Sequence, residues 1–285
     1  MSFATLVDVG TLSAHLHDPH WRIVDVRHQL ADAGYGERAY QAGHIPGAGF
    51  LHCDRDLSGP LTGRNGRHPL PDPGHLAARL TALGVTPATQ VVVYDDAQGM
   101  IAGRLWWLLR WLGHEAVALL DGGWQAWQSA GGPVESGPPA AMPCPEASGV
   151  LTATPRPAFT VDADFVQKSR STVNGCLVDA RSPDRFRGEN ETIDPVGGHI
   201  PGAINRFFKD NLQPDGRFKP AAQLREEWLA LLAGADPAQV VHQCGSGVSA
   251  CLNLLAMEIA GLPGSRLYPG SWSEWCADPA RPVAR

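Results

Sequence analysis

"VVHQCGSGVSACLNLLAMEI", residues 240–259, begins as an apolar run of strand length. It then turns through Cys244, two glycines and two serines, and resumes an apolar pattern that reads as a helix. A strand, a small-residue loop and a helix in that order form the repeating unit of a parallel sheet covered by helices. In such sheets ligands sit beyond the carboxyl ends of the strands, which is where Cys244 falls.

The same organisation occurs twice in the chain. "VDVR" at 24–27 returns as "VDAR" at 178–181, "GHIPGA" at 43–48 as "GHIPGA" at 198–203, and "DGGWQAW" at 121–127 as "PGSWSEW" at 269–275. A tandem duplication follows. The strand-length runs "WRIVDV" and "QVVVYD" in the first half and "CLVDA" and "QVVHQ" in the second are apolar on both faces, as buried parallel strands are. Helical patterns lie between them in "GHLAARLTALG", "AGRLWWLLRWLG" and "AAQLREEWLALLAG". The expected class is α/β: two tandem domains, each a parallel sheet with helices on both faces. Residues 131–157 are rich in Pro, Gly and Ser and carry no period, so they read as an extended connection. The expected boundaries are a first domain over 1–135, a linker over 136–157 and a second domain over 158–285, each domain near the commonest size.

Composition narrows the function. At 285 residues with a net charge of −6 and no basic stripe, the chain has nothing to neutralise a phosphate backbone, so nucleic acid is not an expected partner. No apolar run approaches the ~18 residues a membrane span needs, and "MSFATLVDVG" has no cationic start, so a soluble cytosolic protein with no membrane partner is expected. The six cysteines (53, 144, 176, 244, 251 and 276) are scattered without C-x-x-C pairs. Neither a metal site nor a disulfide framework is indicated, and each is read as a single thiol.

Comparing the halves separates fold from function, because features in both halves serve the shared fold. Aligning "VVVYDDAQGMIA" with "VVHQCGSGVSA" at an offset of 148 residues places Asp96 opposite Cys244. Gly245 and Gly247 let successive N–H groups curl inward, and a helix starting near Val248 adds its positive end. A thiol with the ordinary pKa of about 8.5 is only about 3% ionised at pH 7; a nucleophile needs roughly 2.7 kcal/mol of preference for the anion. An amide cradle supplies that kind of preference. Cys251, deeper in the apolar helix, reads as core packing.

Taken together, the repeated "GHIPGA", the "VDAR" strand and the loop C-G-S-G-V-S resemble the tandem-domain rhodanese superfamily of sulfurtransferases over both halves. The resemblance implies a silent first domain with Asp96 in the cysteine's place. It also implies a second domain whose Cys244 cycles between thiolate and persulfide, with no cofactor. Phosphatase-like relatives end their loop in an arginine, where this chain has Ala250. The uncharged loop Cys244-Gly245-Ser246-Gly247-Val248-Ser249 is similar to the form found in 3-mercaptopyruvate sulfurtransferases, rather than to the cationic loop of thiosulfate-specific members.

The same resemblance makes Arg185 a clamp for the donor carboxylate; its place in the first half is Ala31. Gly245, Gly247, Val248 and Ser249 line the donor. No second arginine lies between this motif and the second "GHIPGA", which leaves thiosulfate open as a donor. Ser246 is a candidate for relaying the proton that a pyruvate enolate must gain, or is there because the loop demands a small residue. His44 repeats at His199, so a structural role in the turn is the default, while the family's pattern places it opposite the cysteine; Asp32 is a candidate acid beside it. Asp25, Asp179, Arg27 and Arg181 recur as pairs and read as fold residues, and Arg187 as solvated. The expected acceptor is a thiol such as thioredoxin, or cyanide. The rival readings are a thiosulfate:cyanide sulfurtransferase and a non-enzymatic persulfide carrier.

Overall fold

The computed structural model describes residues 2–138, 149–169 and 177–285. Cys144, Cys176 and the middle of the expected linker lie outside these residues. Two compact units emerge: 1–59, 71–156 and 214–217 form the first, and 60–70, 157–213 and 218–285 the second.

In the first unit the strands are β1 (Leu6–Val7), β2 (Trp21–Asp25), β3 (Gly49–Phe50), β4 (Gln90–Tyr94) and β5 (Val117–Leu120). They make one parallel sheet in the order β1-β5-β4-β2-β3. Its helices are α1 (Val9–Ala14), α2 (Tyr35–Ala42), α3 (Pro73–Ala82), α4 (Ala102–Trp111) and α5 (Gly123–Ser129). The second unit has β6 (Leu177–Asp179), β7 (Ile204–Asn205), β8 (Val241–Gln243) and β9 (Arg266–Leu267), parallel in the order β7-β6-β8-β9. Its helices are α6 (Ala163–Ser169), α7 (Pro183–Phe186), α8 (Ala221–Leu232), α9 (Ala250–Ile259) and α10 (Ser271–Trp275). Apart from β1, the two sheets have one strand order, as duplication requires.

The strands carry apolar side chains on both faces because both faces are covered: every residue of β2, β4, β6 and β8 is buried. The paired tryptophans, Trp124 and Trp127 in one half and Trp272 and Trp275 in the other, belong to the two cores. Asp25 and Asp179 also play one part twice. Each accepts from the guanidinium two residues on, and that guanidinium donates in turn to the carbonyl of Gly43 or Gly198 and covers Trp124 or Trp272. Among the described residues no helix is long and apolar enough to cross a membrane.

Two expected boundaries shift. The described flanks of the linker are held down on the first unit: Leu151 is buried, and the Thr154 and Arg156 amides donate to the carbonyls of Leu112 and Trp111. Residues 60–70, which the repeat pattern assigns to the first domain, pack with the second unit, because their polar groups find their partners there.

Candidate active site

Strand β8 ends at Gln243 and delivers Cys244 into the loop before α9. That helix starts at Ala250, with Ser249 as its N-cap, two residues later than the sequence suggested. Gly247 has φ +76, and a Cβ there would stand 2.3 Å from the carbonyl oxygen of Pro269, so the turn admits only glycine. The turn aims the Gly247 N–H at Cys244 Sγ, 3.2 Å away. The start of α10 braces the loop from behind: Ser271 Oγ accepts the Cys244 N–H at 3.1 Å. The Trp272 and Ser273 amides donate to the carbonyls of Cys244 and Gly245. Cys251 is fully buried with its thiol on the Gly247 carbonyl, in keeping with a core role.

The segment 60–70 brings two residues that sequence reasoning missed. Ser246 Oγ lies 2.7 Å from His68 Nδ1, and both residues are buried. Arg67 reaches the same loop: a Cβ on Gly245 would lie 2.8 Å from Arg67 Nη2 and 3.6 Å from Arg185 Nη1, so two guanidiniums converge on that glycine. Arg185 donates through Nε and Nη2 to Glu191 and, at 3.2 Å, to Asp194, which also pairs with Arg67. Burial opposes ionisation of Glu191, but the Arg185 hydrogen bonds and two loop amides hold its carboxyl below the usual range. Asp194 is pushed up by burial against the pull of Arg67 and Arg185. Arg181 is held charged against burial by Asp179 and Glu191. Three cations, Arg67, Arg181 and Arg185, thus face three carboxylates, Asp179, Glu191 and Asp194. The cluster is close to neutral. Arg187 pairs with Glu189 at the surface.

A signal for the missed pair was present in the sequence. "GRHP" at 66–69 echoes "GRFK" at 216–219, with His68 standing where the second copy has Phe218. The two copies lie in, or at the edge of, the two segments that the units exchange.

His44 sits in the first unit in a setting that its twin reproduces. Its Nδ1 contacts the Tyr40 carbonyl at 2.8 Å and its ring stacks on Tyr40; His199 does the same with Phe186 at 2.9 Å. Both histidines also join a bridge, to Glu135 and to Ala284. This repeated geometry carries the turn-fixing role; His44 differs from its twin in being fully buried and in facing a carboxylate. The carboxylate facing His44 is Glu135, 3.9 Å from Nε2, whereas Asp32 pairs with Arg38 at the surface.

The alignment of the two loops needs a correction. Asp25 pairs with Tyr94 as Asp179 pairs with Gln243, and the Val26 and Ala180 amides donate to the carbonyls of Tyr94 and Gln243. The residue in the place of Cys244 is therefore Asp95, not Asp96, and its carbonyl accepts the Trp124 amide as that of Cys244 accepts the Trp272 amide. The offset of 148 residues holds after the loop but fails before it, because the first loop is one residue longer. Asp95 is fully buried, and its carboxylate accepts four loop amides: Ala97 and Gly99 on Oδ1, Ile101 and Ala102 on Oδ2, at 2.8–2.9 Å. Burial pushes that carboxyl up and the four amides oppose it. Asp96 instead accepts the Tyr35 hydroxyl.

The family model described as a rhodanese-like domain matches residues 8–130 and again 162–278. A Pseudomonas aeruginosa protein named "Probable 3-mercaptopyruvate sulfurtransferase" is 49% identical over 286 residues, covering 100% of this chain and 99% of the relative. A Mycobacterium tuberculosis protein with the provisional name thiosulfate sulfurtransferase SseB is 40% identical over 267 residues, or 92% of this chain and 90% of its own length. The solved structure of 3-mercaptopyruvate sulfurtransferase from Leishmania major superposes with a TM-score of 0.82 at 31% identity, covering 95% of this chain and 74% of that one. With two copies of the domain and a cysteine at the sheet's carboxyl edge in the second, the chain belongs to the rhodanese-like family.

Proposed function

We propose that the protein is a sulfurtransferase that takes sulfur from 3-mercaptopyruvate onto Cys244 and passes it to a thiol or to cyanide. The observation that carries this reading is the convergence of Arg67 and Arg185 on Gly245, beside Cys244. A 2-oxo acid offers one carboxylate, and a near-neutral clamp of two arginines and their acidic partners suits a single negative charge better than a dianion.

Cys244 thiolate attacks the donor sulfur. The new S–S bond forms as the C–S bond breaks, and the electron pair leaves on carbon as the enolate of pyruvate. That carbon must gain one proton, and the donor's own thiol must lose one. In this reading Ser246 moves it, which its hydrogen bond to His68 supports. The loop amides and the Gly247 N–H hold the sulfur anion. An acceptor thiolate then attacks the outer sulfur, the S–S bond breaks, and its electron pair returns to Cys244. In this reading the first unit is silent, no cofactor takes part, the working compartment is the cytosol, and a thioredoxin-class dithiol is the acceptor.

The test is intact mass after donor treatment. The wild type is expected to gain one sulfur atom and Cys244→Ser none; equal gain in both would overturn the assignment. The second reading, thiosulfate as preferred donor, has support in the extra cation that Arg67 supplies. A kcat/KM higher with thiosulfate than with 3-mercaptopyruvate would establish it in place of the first.

A further inference from the structure

Ser271 is fully buried and has φ +54, a left-handed conformation that a residue with a Cβ adopts at a free-energy cost. Its twin in the first unit is Gly123, with φ +59. A Cβ on Gly123 would lie 2.4 Å from the Asp95 carbonyl oxygen, so the first loop forbids the side chain that the second carries. The second unit therefore accepts backbone strain that its copy avoids. What the strain accompanies is visible at Oγ, which accepts the Cys244 N–H at 3.1 Å and donates to the Tyr268 carbonyl at 2.9 Å.

We propose that Ser271 is a positioning residue for the nucleophile. Its hydroxyl fixes the backbone of Cys244 against the Tyr268 carbonyl, so that Sγ stays over the Gly247 N–H. Strain accepted at this position in the cysteine-bearing copy and avoided at its twin, and spent on the cysteine's own amide, is what a placement device predicts. A packing role would need only the glycine found in the first unit.

This inference rests on the reading of Cys244 as the sulfur-accepting nucleophile, and its test separates the two. Ser271→Gly removes the hydroxyl and the strain together; Ser271→Ala removes the hydroxyl and keeps the strain. Both variants are expected to lose about tenfold in kcat with 3-mercaptopyruvate, the worth of one buried hydrogen bond, with KM little changed because Arg67 and Arg185 are untouched. Ser271→Gly should nonetheless melt above Ser271→Ala, because it alone relieves the left-handed strain, while the two share one loss in kcat; a structural role would make kcat follow stability. The pH profile of Cys244 alkylation by iodoacetamide, which needs no donor, should move in both variants. Unchanged alkylation profiles and unchanged kcat in either variant would overturn the inference. A wild type inert toward sulfur donors, with profiles that still move, would sink the sulfur-transfer reading and leave the placement of Cys244 by Ser271 standing.

Discussion

The two loops at the carboxyl edges of β4 and β8 share one plan and differ in what sits at its centre. In the first, Asp95 fills the ring of amides with a carboxylate of its own, four hydrogen bonds deep. In the second, the equivalent residue is a thiol, one amide rests on it, and the loop is one residue shorter. The inward-facing amides inferred for residues 244–249 are thus displayed most fully in the copy without the cysteine. An anion-holding loop is sealed when the anion is tethered and complete, and reactive when the tethered group is a sulfur that can be extended. The other differences fall around the same point: Ser271 for Gly123, Arg185 where the first half has Ala31, and Gln243 for Tyr94.

The sharpest way to break this comparison is to make the second loop imitate the first. Cys244→Asp should leave a folded protein with no sulfur gain by intact mass and no pyruvate release above background, since a seated carboxylate cannot accept sulfur. Any donor turnover in this variant would show that Cys244 is not the point of attack.

The reverse change tests the first loop. Asp95→Ala would leave four buried N–H groups without their acceptor, each costing about 1–3 kcal/mol before the loop relaxes. A net loss of about 3 kcal/mol is expected, read as a lower urea midpoint. Cys244→Ala, which frees one amide from a weak sulfur acceptor, should lose about 1 kcal/mol or less. Equal losses would mean that the two loops do not differ as anion sites.

Arg185→Ala probes the clamp that only the second half carries. Losing a bidentate contact to a carboxylate is worth roughly 1.5–3 kcal/mol, so KM for 3-mercaptopyruvate should rise about 10- to 150-fold. Sulfur should still load onto Cys244 at saturating donor. A fall in kcat with KM unchanged would place Arg185 outside the donor's carboxylate.

Much of this was legible in the chain because the informative residues lie in short, repeated motifs. The duplication, the α/β alternation and the cysteine loop follow from local pattern and from contrast between halves, whereas the role expected of Arg185 came from the resemblance to the family. The register of the first loop was not legible, since a one-residue insertion among "YDDAQG" slides unnoticed past an ungapped alignment and only the ladder hydrogen bonds of β4 and β8 locate it. Arg67 and His68 escaped because they reach the second unit from a segment far away in sequence, and proximity of that kind is decided by folding. Ser271 was in plain view in the pair "DGGWQAW" and "PGSWSEW", but a serine for a glycine acquires meaning only once φ is known.

The smallest expected effect concerns the residue just before the cysteine. Tyr94 donates its hydroxyl to Asp25 at 2.7 Å and accepts the Ile45 amide at 3.2 Å, so the first unit's strand end is fully paired. Its counterpart Gln243 is fully buried, and among the described residues neither its side-chain nitrogen nor its oxygen has a hydrogen-bond partner. A buried amide in that condition costs free energy that an apolar side chain of similar size does not. Gln243→Leu should therefore stabilise the protein by about 1 kcal/mol, measured by urea unfolding, with sulfur loading of Cys244 unchanged. If loading fell while stability rose, the unpaired amide would be serving the thiol, and the list of what distinguishes the reactive loop from the sealed one would grow by a residue.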